Sequence, residues 1–303
     1  TYVRSFNQPI SMIAQNMNIL QSTAAAAERV FAFLEEEEEV PECENPVEIY
    51  DADGHTDIQG QVTFENVHFG YRPDKIIIHD FSMYIKPGRK IAIVGPTGAG
   101  KTTIIKLLMR FYELNSGTIY IDGIPTTQMR RSDLRSLFGM VLQDAWLFGG
   151  TVMENLRYGR PDATDEEVIK AADAAYVDHF IRTLDHGYQT VINEESSNIS
   201  QGQKQLLTIA RAFLADPKIL ILDEATSSVD TRTEVLIQKG MQNLMENRTS
   251  FVIAHRLSTI RDADLILVMK DGDIIEAGSH DELMKADGFY TQLYNSQFDE
   301  EEE

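Results

Sequence analysis

Residues 95–102 read GPTGAGKT, which fits the pattern G-x-x-x-x-G-K-[ST]. A strand-like apolar stretch, Lys90–Val94, precedes this octapeptide, and an apolar helical pattern from Lys101 to about Phe111 follows it. Glycines let a backbone wrap closely around phosphate groups, and the positive end of the next helix favours an anion. The sequence therefore predicts a phosphate-binding loop between a buried strand and a helix.

The lysine and the hydroxyl residue of this loop have separate expected roles. We expect Lys101 to reach the β- and γ-phosphates of a nucleotide, and the Thr102 hydroxyl to bind Mg²⁺. The pattern alone does not separate one class of P-loop nucleotide hydrolase from another. The expected nucleotide-binding residues of the loop are Gly95, Pro96, Thr97, Gly98, Ala99, Gly100, Lys101, Thr102 and Thr103.

Two adjacent carboxylates end a second apolar strand. Residues 219–224 read ILILDE, so Asp223 and Glu224 stand at the strand tip, where open α/β sheets hold their ligands. Asp223 suits the ligand shell of Mg²⁺, and Glu224 is placed to orient and polarise a water for attack on the γ-phosphate. The alternative role of Glu224 is that of a carboxylate near the start of the next helix.

A helix-capping pattern lies just over twenty residues before these carboxylates. Residues 198–203 read NISQGQ, and Ser200 with Gln203 forms an S-x-x-Q capping box before an apolar-periodic helix. Capping alone would explain these residue types. The segment also closely resembles the L-S-G-G-Q signature of the ATP-binding-cassette (ABC) family.

Further ABC elements follow in family order. The resemblance assigns Tyr71 to stacking on adenine, Gln143 to the Q-loop, residues 227–230 (SSVD) to the D-loop and His255 to the switch histidine. Each is weak alone, but six elements in order identify the family over roughly residues 60–298. The catalytic residues that the resemblance implies are Glu224, His255, Gln143 and Lys101. The Mg²⁺ ligands that it implies are Thr102, Gln143 and Asp223. The nucleotide contacts that it implies on the signature side are Ser200, Gly202, Gln203 and Asp230.

Finer features resemble bacterial multidrug and lipid exporters. Residues 132–135 (SDLR), 141–144 (VLQD) and 151–156 (TVMENL) carry this likeness. Residues 187–191 (GYQTV) stand where exporters lead into the X-loop, although 192–196 (INEES) lack the glycines usual there. The resemblance implies two such domains paired head to tail, with ATP between the phosphate loop of one and the signature helix of the other.

The implied fold class is α/β: a P-loop core, an antiparallel β subdomain, an inserted helical subdomain at about 144–215 and an N-terminal helix arm. Strand patterns at 62–67, 81–85, 250–254 and 265–269 and a helical pattern at 279–297 fit this order. The expected domains are residues 60–298 for the nucleotide-binding unit, 41–59 for a linker and 299–303 for an acidic tail.

The N-terminal arm is predicted from one apolar seam. Its residues recur at alternating steps of three and four and are Ile10, Ile13, Met17, Leu20, Ala24, Ala27, Phe31 and Leu34. From Pro9 to Leu34 such a helix is about 40 Å long. A core helix or a coiled coil is the alternative, but the resemblance implies that residues 1–40 extend the last membrane helix of a half-transporter.

Composition limits the classes of partner. The net charge of −21, with acidic runs at 35–39 and 299–303, disfavours nucleic acid as a partner. The chain has a single cysteine, Cys43, and so no internal disulfide, which fits a reducing compartment. No apolar run approaches the ~18 residues that cross a bilayer. Because the chain starts at Thr1 without Met, we expect a fragment of a longer protein that lies at the cytoplasmic face of the cell membrane and is soluble by itself.

The exporter ATPase has other functions of ABC and nucleotide-binding proteins as alternatives. A soluble ABC protein of chromosome maintenance is disfavoured because only about a hundred residues, and no long coiled coil, separate the phosphate loop from the signature. A translation factor is disfavoured because such proteins carry two cassettes per chain. A regulatory module without turnover is disfavoured by Glu224 and His255. An importer ATPase is disfavoured by the helix arm. The sequence leaves open the transported substrate and the choice between homodimer and heterodimer.

Gln201 stands where the family signature has Gly. Its side chain adds bulk beside the expected γ-phosphate, which predicts two unequal ATP sites in a heterodimer. The alternative is that the Gln201 side chain points to solvent and changes nothing.

Overall fold

The computed structural model describes residues 2–51, 54–72, 74–142, 145–193, 198–223, 229–254 and 257–298. The chain forms two compact units, residues 1–41 and residues 42–303. The strands are β1 Val62–Phe69, β2 Ile78–Ile85, β3 Lys90–Val94, β4 Ser116–Ile121, β5 Ile124–Pro125, β6 Phe138–Val141, β7 Gly150–Thr151, β8 Val191–Ile192, β9 Ile219–Asp223, β10 Thr249–Ile253, β11 Leu265–Lys270 and β12 Asp273–Gly278. The helices are α1 Tyr2–Leu34, α2 Lys101–Leu108, α3 Arg131–Ser136, α4 Val152–Arg157, α5 Asp165–Ala174, α6 Asp178–Thr183, α7 Gln201–Ala215, α8 Thr231–Met245, α9 Leu257–Arg261, α10 His280–Ala286 and α11 Phe289–Phe298.

The first unit is built on the single long helix α1. It begins at Tyr2, earlier than the predicted start, and contains Pro9 within its span. Its apolar seam is exposed, with more than half of the Ile13 and Leu20 surface open. Within the part of the chain that the structure describes, no helix is both long enough and apolar enough to cross a membrane.

Residues 41–59, for which the sequence predicts a linker, have no helix or strand among their described residues. Part of this segment packs on the second unit: Ile49 and Ile58 are buried in its core, and the Glu42 carboxylate accepts a hydrogen bond from the Arg131 backbone N–H at 2.7 Å. The described residues of 42–59 therefore belong to the second unit, with a turn in which the Gly54 N–H donates to the Asp51 carbonyl oxygen.

The second unit is organised around a six-stranded sheet with the order β12-β11-β3-β10-β9-β6. Its strands are parallel except β12, which pairs antiparallel with β11. Successive residues of β3 alternate between two buried cores, with Ile91 and Ile93 in one and Ala92 and Val94 in the other. Both faces are thus covered, as parallel sheets require, and the carboxyl ends of β3, β10 and β9 share one edge.

Two smaller parts flank this sheet. An antiparallel sheet with the order β2-β1-β4-β5 packs Phe64 edge-on against Phe81, with 4.9 Å between ring centroids. Helices α4 to α7 and the strand pair β7-β8 lie between β6 and β9 in the chain. The predicted α/β class, with an antiparallel β part and an inserted helical part, is confirmed.

Two predicted helices have different bounds. Helix α2 ends at Leu108 rather than near Phe111, because Arg110 has a left-handed backbone with φ of 52°. The single helix predicted for 279–297 is two helices, since Asp287 has φ of 49° and the Glu276 carboxylate accepts hydrogen bonds from the N–H groups that begin α11.

Candidate functional site

The phosphate loop joins β3 to α2 at the carboxyl edge of the sheet. Gly95 has φ of 148°, and a Cβ atom there would lie 2.2 Å from the Met269 carbonyl oxygen. Gly100, the residue before α2, has φ of 99°, a left-handed conformation that other residues adopt only with strain. The two glycines therefore allow the loop to pass close to β11 and to turn directly into the helix.

Lys101 folds back over this loop. Its Nζ donates hydrogen bonds to the carbonyl oxygens of Gly95 at 2.5 Å and of Pro96 at 3.0 Å. Burial lowers the pKa of the Lys101 ammonium, while the negative charge of Asp223 opposes that shift. The ammonium thus lies over the loop and within the electrostatic reach of a carboxylate at the end of β9.

Thr102 and Asp223 bring oxygen ligands to the same edge. Thr102 lies in the first turn of α2 and is exposed, and Asp223 is the half-buried last residue of β9. In the sheet order, β10 lies between β3 and β9 and pairs with both. A hydroxyl and a carboxylate are the hard oxygen ligands that Mg²⁺ prefers, so this donor set fits that ion.

Tyr71 lies beside the phosphate loop. Its hydroxyl is 3.3 Å from Oγ1 of the buried Thr103, and its ring is edge-on to Phe69 and to Tyr112, each at 5.0 Å between centroids. About 43% of Tyr71 remains exposed, so a ring face is accessible to a stacking partner. Nζ of Lys106 lies 5.8 Å from the ring centroid.

The sequence did not indicate the contribution of α11 to this region. A cavity of about 150 Å³ is lined on one side by the phosphate loop and on the other by Tyr290, Leu293 and Tyr294. The Tyr290 hydroxyl hydrogen-bonds Nδ1 of His280 at 2.8 Å, and burial raises the pKa of Tyr290. The two tyrosines four residues apart were the available signal, but their spacing predicts only a shared helix face.

The signature segment begins α7 as the capping box predicts. The Ser200 hydroxyl accepts a hydrogen bond from the Gln203 N–H at 3.3 Å, and the Gln203 side chain accepts one from the Ser200 N–H at 3.0 Å. Gly202 is buried, whereas Gln201 is exposed. Asp230 caps α8 by accepting a hydrogen bond from the Thr233 N–H, which lowers the pKa of the Asp230 carboxyl group.

The structure brings only part of the predicted site together. Tyr71, residues 95–103 and Asp223 gather around the phosphate loop. Among the described residues, no hydrogen bond or ion pair joins the start of α7 to that loop. The described residues also contain no cluster of three or more His, Cys, Asp or Glu residues that could bind a metal ion. Gln143, Glu224, His255, Ser227 and Ser228 lie outside the described residues, as do positions 194–196 of the X-loop.

Comparison with known proteins gives one family. A family model described as "ABC transporter" matches residues 78–227. A fatty acid ABC transporter ATP-binding/permease protein of Mycobacterium bovis is 56% identical over 292 residues, which are 96% of this chain and 45% of that protein. An ATP-dependent lipid A-core flippase of Desulfotalea psychrophila is 44% identical over 289 residues, 95% of this chain and 49% of the flippase.

A solved structure shows the same likeness in three dimensions. The structure of a bacterial Atm1-family ABC exporter with ATP bound has a TM-score of 0.79 and 41% identity, covering 92% of this chain and 48% of that one. The chain thus spans about half the length of the curated relatives it matches.

Proposed function

Because the chain belongs to the ABC transporter family, we propose that it binds and hydrolyses ATP to drive export across a membrane. The observation that carries this proposal is the phosphate loop, whose Lys101 ammonium lies within reach of the Asp223 charge at the carboxyl edge of the sheet. Such a loop at the start of a helix is suited to bind the phosphates of a nucleotide.

The described residues supply the nucleotide-binding side. Residues 95–103 surround the phosphates, and Lys101 exchanges its bonds to the loop carbonyls for bonds to the β- and γ-phosphates. The exposed ring of Tyr71, held by the Thr103 hydroxyl, stacks on adenine. In this arrangement the loop fixes the phosphates and the aromatic side chain fixes the base.

Three residues would hold Mg²⁺: Thr102, Asp223 and Gln143. Bound by these residues, Mg²⁺ would neutralise negative charge on the phosphate oxygens. The Thr102 hydroxyl and the Asp223 carboxylate fit this role by their chemistry and by their shared edge of the sheet. Gln143 has the role that the family resemblance implies.

Hydrolysis needs an oriented water more than covalent chemistry from the protein. We assign Glu224 to polarising that water, because it follows Asp223 directly at the end of β9. His255 follows the end of β10, the neighbouring strand, and Gln143 follows β6 closely in the chain. These three positions surround the γ-phosphate in the proposed complex.

A complete site in this proposal requires two chains. Ser200, Gly202 and Gln203 at the start of α7, with Asp230, contact the nucleotide held by the phosphate loop of a partner domain. This head-to-tail pairing accounts for the separation, within one chain, between α7 and the loop. The positive end of the capped helix α7 favours the γ-phosphate of the partner site.

The proposed membrane partner is inferred from the same family relationship. Relatives of about twice this length are named ATP-binding/permease proteins, so the proposed partners are transmembrane domains of the same exporter. Helix α1 is then the continuation of the last membrane helix at the cytoplasmic face. The substrates named for the relatives, fatty acid and lipid A-core, belong to those proteins, and no substrate is assigned to this chain.

The proposal is tested by phosphate release from ATP by the 303-residue chain with and without Mg²⁺. Glu224→Gln should reduce hydrolysis by about 100-fold or more while ATP binding persists, because only the water-polarising group changes. Lys101→Ala should instead weaken ATP binding. Hydrolysis by Glu224→Gln at the parental rate would contradict the assigned role of Glu224 and direct attention to Gln143 and His255.

A further inference from the structure

A second cavity lies away from the phosphate loop. It has a volume of about 300 Å³ and lies between helices α8 and α9 and the sheet strands β9 and β10. None of its lining residues belongs to the proposed nucleotide site. Its floor is formed by Leu222 and Val252, both nearly fully buried.

One face of α8 forms the wall of this cavity. Ile237, Met241 and Met245 recur every four residues, so they lie in one column about 12 Å long. Beside this column α8 packs on α7, where a Cβ atom on Gly240 would lie 3.5 Å from Cγ2 of Ile209. The apolar column therefore faces the cavity, and its two methionines are flexible enough to adapt to an occupant.

Among the glutamines that line the cavity, Gln205 is buried, Gln238 is half-buried and Gln242 is exposed. Gln205 of α7 is 3% exposed and lines the cavity, and its side chain has no hydrogen-bond partner among the described residues. The amide nitrogen and oxygen of Gln205 stay accessible to solvent through the cavity, so a group that enters the cavity can hydrogen-bond them in place of water. A ligand with one polar atom inside the cavity would satisfy this amide.

Charge further restricts the ligand. The ionisable lining residues are Lys90, Glu246 and Asp262, of which the two acids are exposed and Lys90 is half-buried. A charged ligand would lose its hydration against apolar walls without an opposite charge buried beside it. An uncharged ligand has no such cost.

We propose that this cavity binds a small, uncharged, mostly apolar molecule that makes one hydrogen bond to Gln205. The volume lies at the lower end of the range for small-molecule sites. The cavity shares no lining residue with the proposed nucleotide site, so ligand binding there does not depend on the proposed ATPase.

Indole and indene are the matched probes. Both are uncharged two-ring molecules of nearly equal size, and only indole has an N–H that can donate to the Gln205 carbonyl oxygen. Titrations of the whole chain, followed by ligand-observed NMR, should show indole binding at least about threefold more tightly than indene. In Gln205→Leu, the two dissociation constants should become equal within about twofold.

A larger side chain in the cavity tests whether indole binds there. Met241→Trp places a large side chain into it and should weaken indole binding at least about tenfold. Val235→Trp is the control, because Val235 lies on the same helix, is 43% exposed and does not line the cavity. Thermal unfolding of each variant shows whether it is folded.

Three results would overturn the proposal. The first is the absence of indole binding to the parental chain, which requires no variant to fold. The second is equal weakening by Met241→Trp and Val235→Trp. The third is a parental dimer that Met241→Trp dissociates while indole does not bind, which would identify the cavity as a contact between two copies. None of these results depends on ATP hydrolysis, so the proposed function would be unaffected.

Discussion

Gly202 and Thr233 bring the start of α7 into direct contact with the first turn of α8. A Cβ atom on Gly202 would lie 2.6 Å from Cγ2 of Thr233 and 2.7 Å from Cγ1 of Val229. The backbone N–H of the same Thr233 donates to Asp230, which caps α8. The start of α7 therefore packs against Val229 and the first turn of α8, which leaves little space for a side chain at position 202.

We predict that Gly202→Ala lowers the free energy of unfolding by about 1–3 kcal/mol, because the added methyl group must displace Thr233 or Val229. Denaturant unfolding followed by circular dichroism measures the change. The matched control is Gln201→Ala, one position earlier at an exposed site, where the effect should stay within about 0.5 kcal/mol. A Gly202→Ala variant with the parental midpoint would show that the contact relaxes without cost.

A second prediction concerns the pH dependence of stability. The Asp178 carboxylate accepts hydrogen bonds from Nε of Arg182 at 2.7 Å and from the Tyr188 hydroxyl at 2.6 Å, and these bonds, led by that of Arg182, lower its pKa. A carboxyl group whose pKa is lower in the folded state stabilises the fold above its unfolded pKa. That contribution disappears as the pH falls through the folded pKa.

Asp178→Asn should therefore be less stable than the parent by about 0.5–1 kcal/mol at pH 7, since Arg182 is largely exposed and the pair is screened by water. The difference should stay constant down to about pH 5 and shrink below about pH 4, where the parental carboxyl group becomes protonated. Melting temperatures across this range measure it, with the exposed Asp162→Asn as control. A difference that persists unchanged at pH 3 would assign the effect to packing.

The sequence predicted the phosphate loop well because the constraints on it are local. Its glycines, its lysine and the apolar strand before it are all within a dozen residues of one another. The spacing of apolar residues does not predict the break between α10 and α11, since it depends on Glu276 of the neighbouring strand β12, which accepts hydrogen bonds from the N–H groups of Phe289 and Tyr290. The local pattern of apolar residues predicts one continuous helix, whereas the hydrogen bonds to Glu276 start a new helix at Phe289.

The same distinction applies to the site. Tyr71 was assigned by family resemblance, but its support by Thr103, Phe69 and Tyr112 depends on how β1 and α2 meet. The approach of Tyr290 and Tyr294 to the phosphate loop depends on the packing of α11, almost two hundred residues further along the chain. Periodicity gives the face of a helix and not the surface against which that face packs.

A third prediction concerns association. If ATP lies between the phosphate loop of one chain and α7 of another, the Glu224→Gln chain should be mostly monomeric alone and dimeric with Mg-ATP, because hydrolysis no longer releases the pair. Sedimentation velocity with and without Mg-ATP measures this. Adding Lys101→Ala to Glu224→Gln is the control and should abolish the ATP-dependent dimer. A tight dimer that forms equally without ATP would contradict the head-to-tail arrangement.

The fourth prediction concerns Gln201, the first residue of α7. Its side chain is exposed, and it is not among the residues with positive φ, so its backbone does not require glycine. Its neighbours Ser200 and Gly202 are assigned to the γ-phosphate of the partner. The bulk of the Gln201 side chain should therefore slow hydrolysis at the partner's phosphate loop and leave the loop of its own chain unaffected.

Mixed dimers separate these two sites. A chain with Lys101→Ala supplies only its α7, and a chain with Ser200→Arg supplies only its phosphate loop, so their mixture contains one working site. Gln201→Gly on the Lys101→Ala chain should raise ATP hydrolysis at least about threefold, because the side chain beside the γ-phosphate is removed. The same change on the Ser200→Arg chain should have no effect, since its α7 contacts no hydrolysable nucleotide. Equal rates in both mixtures and in the parental mixture would show that Gln201 points to solvent, and unequal ATP sites would then not follow from this residue.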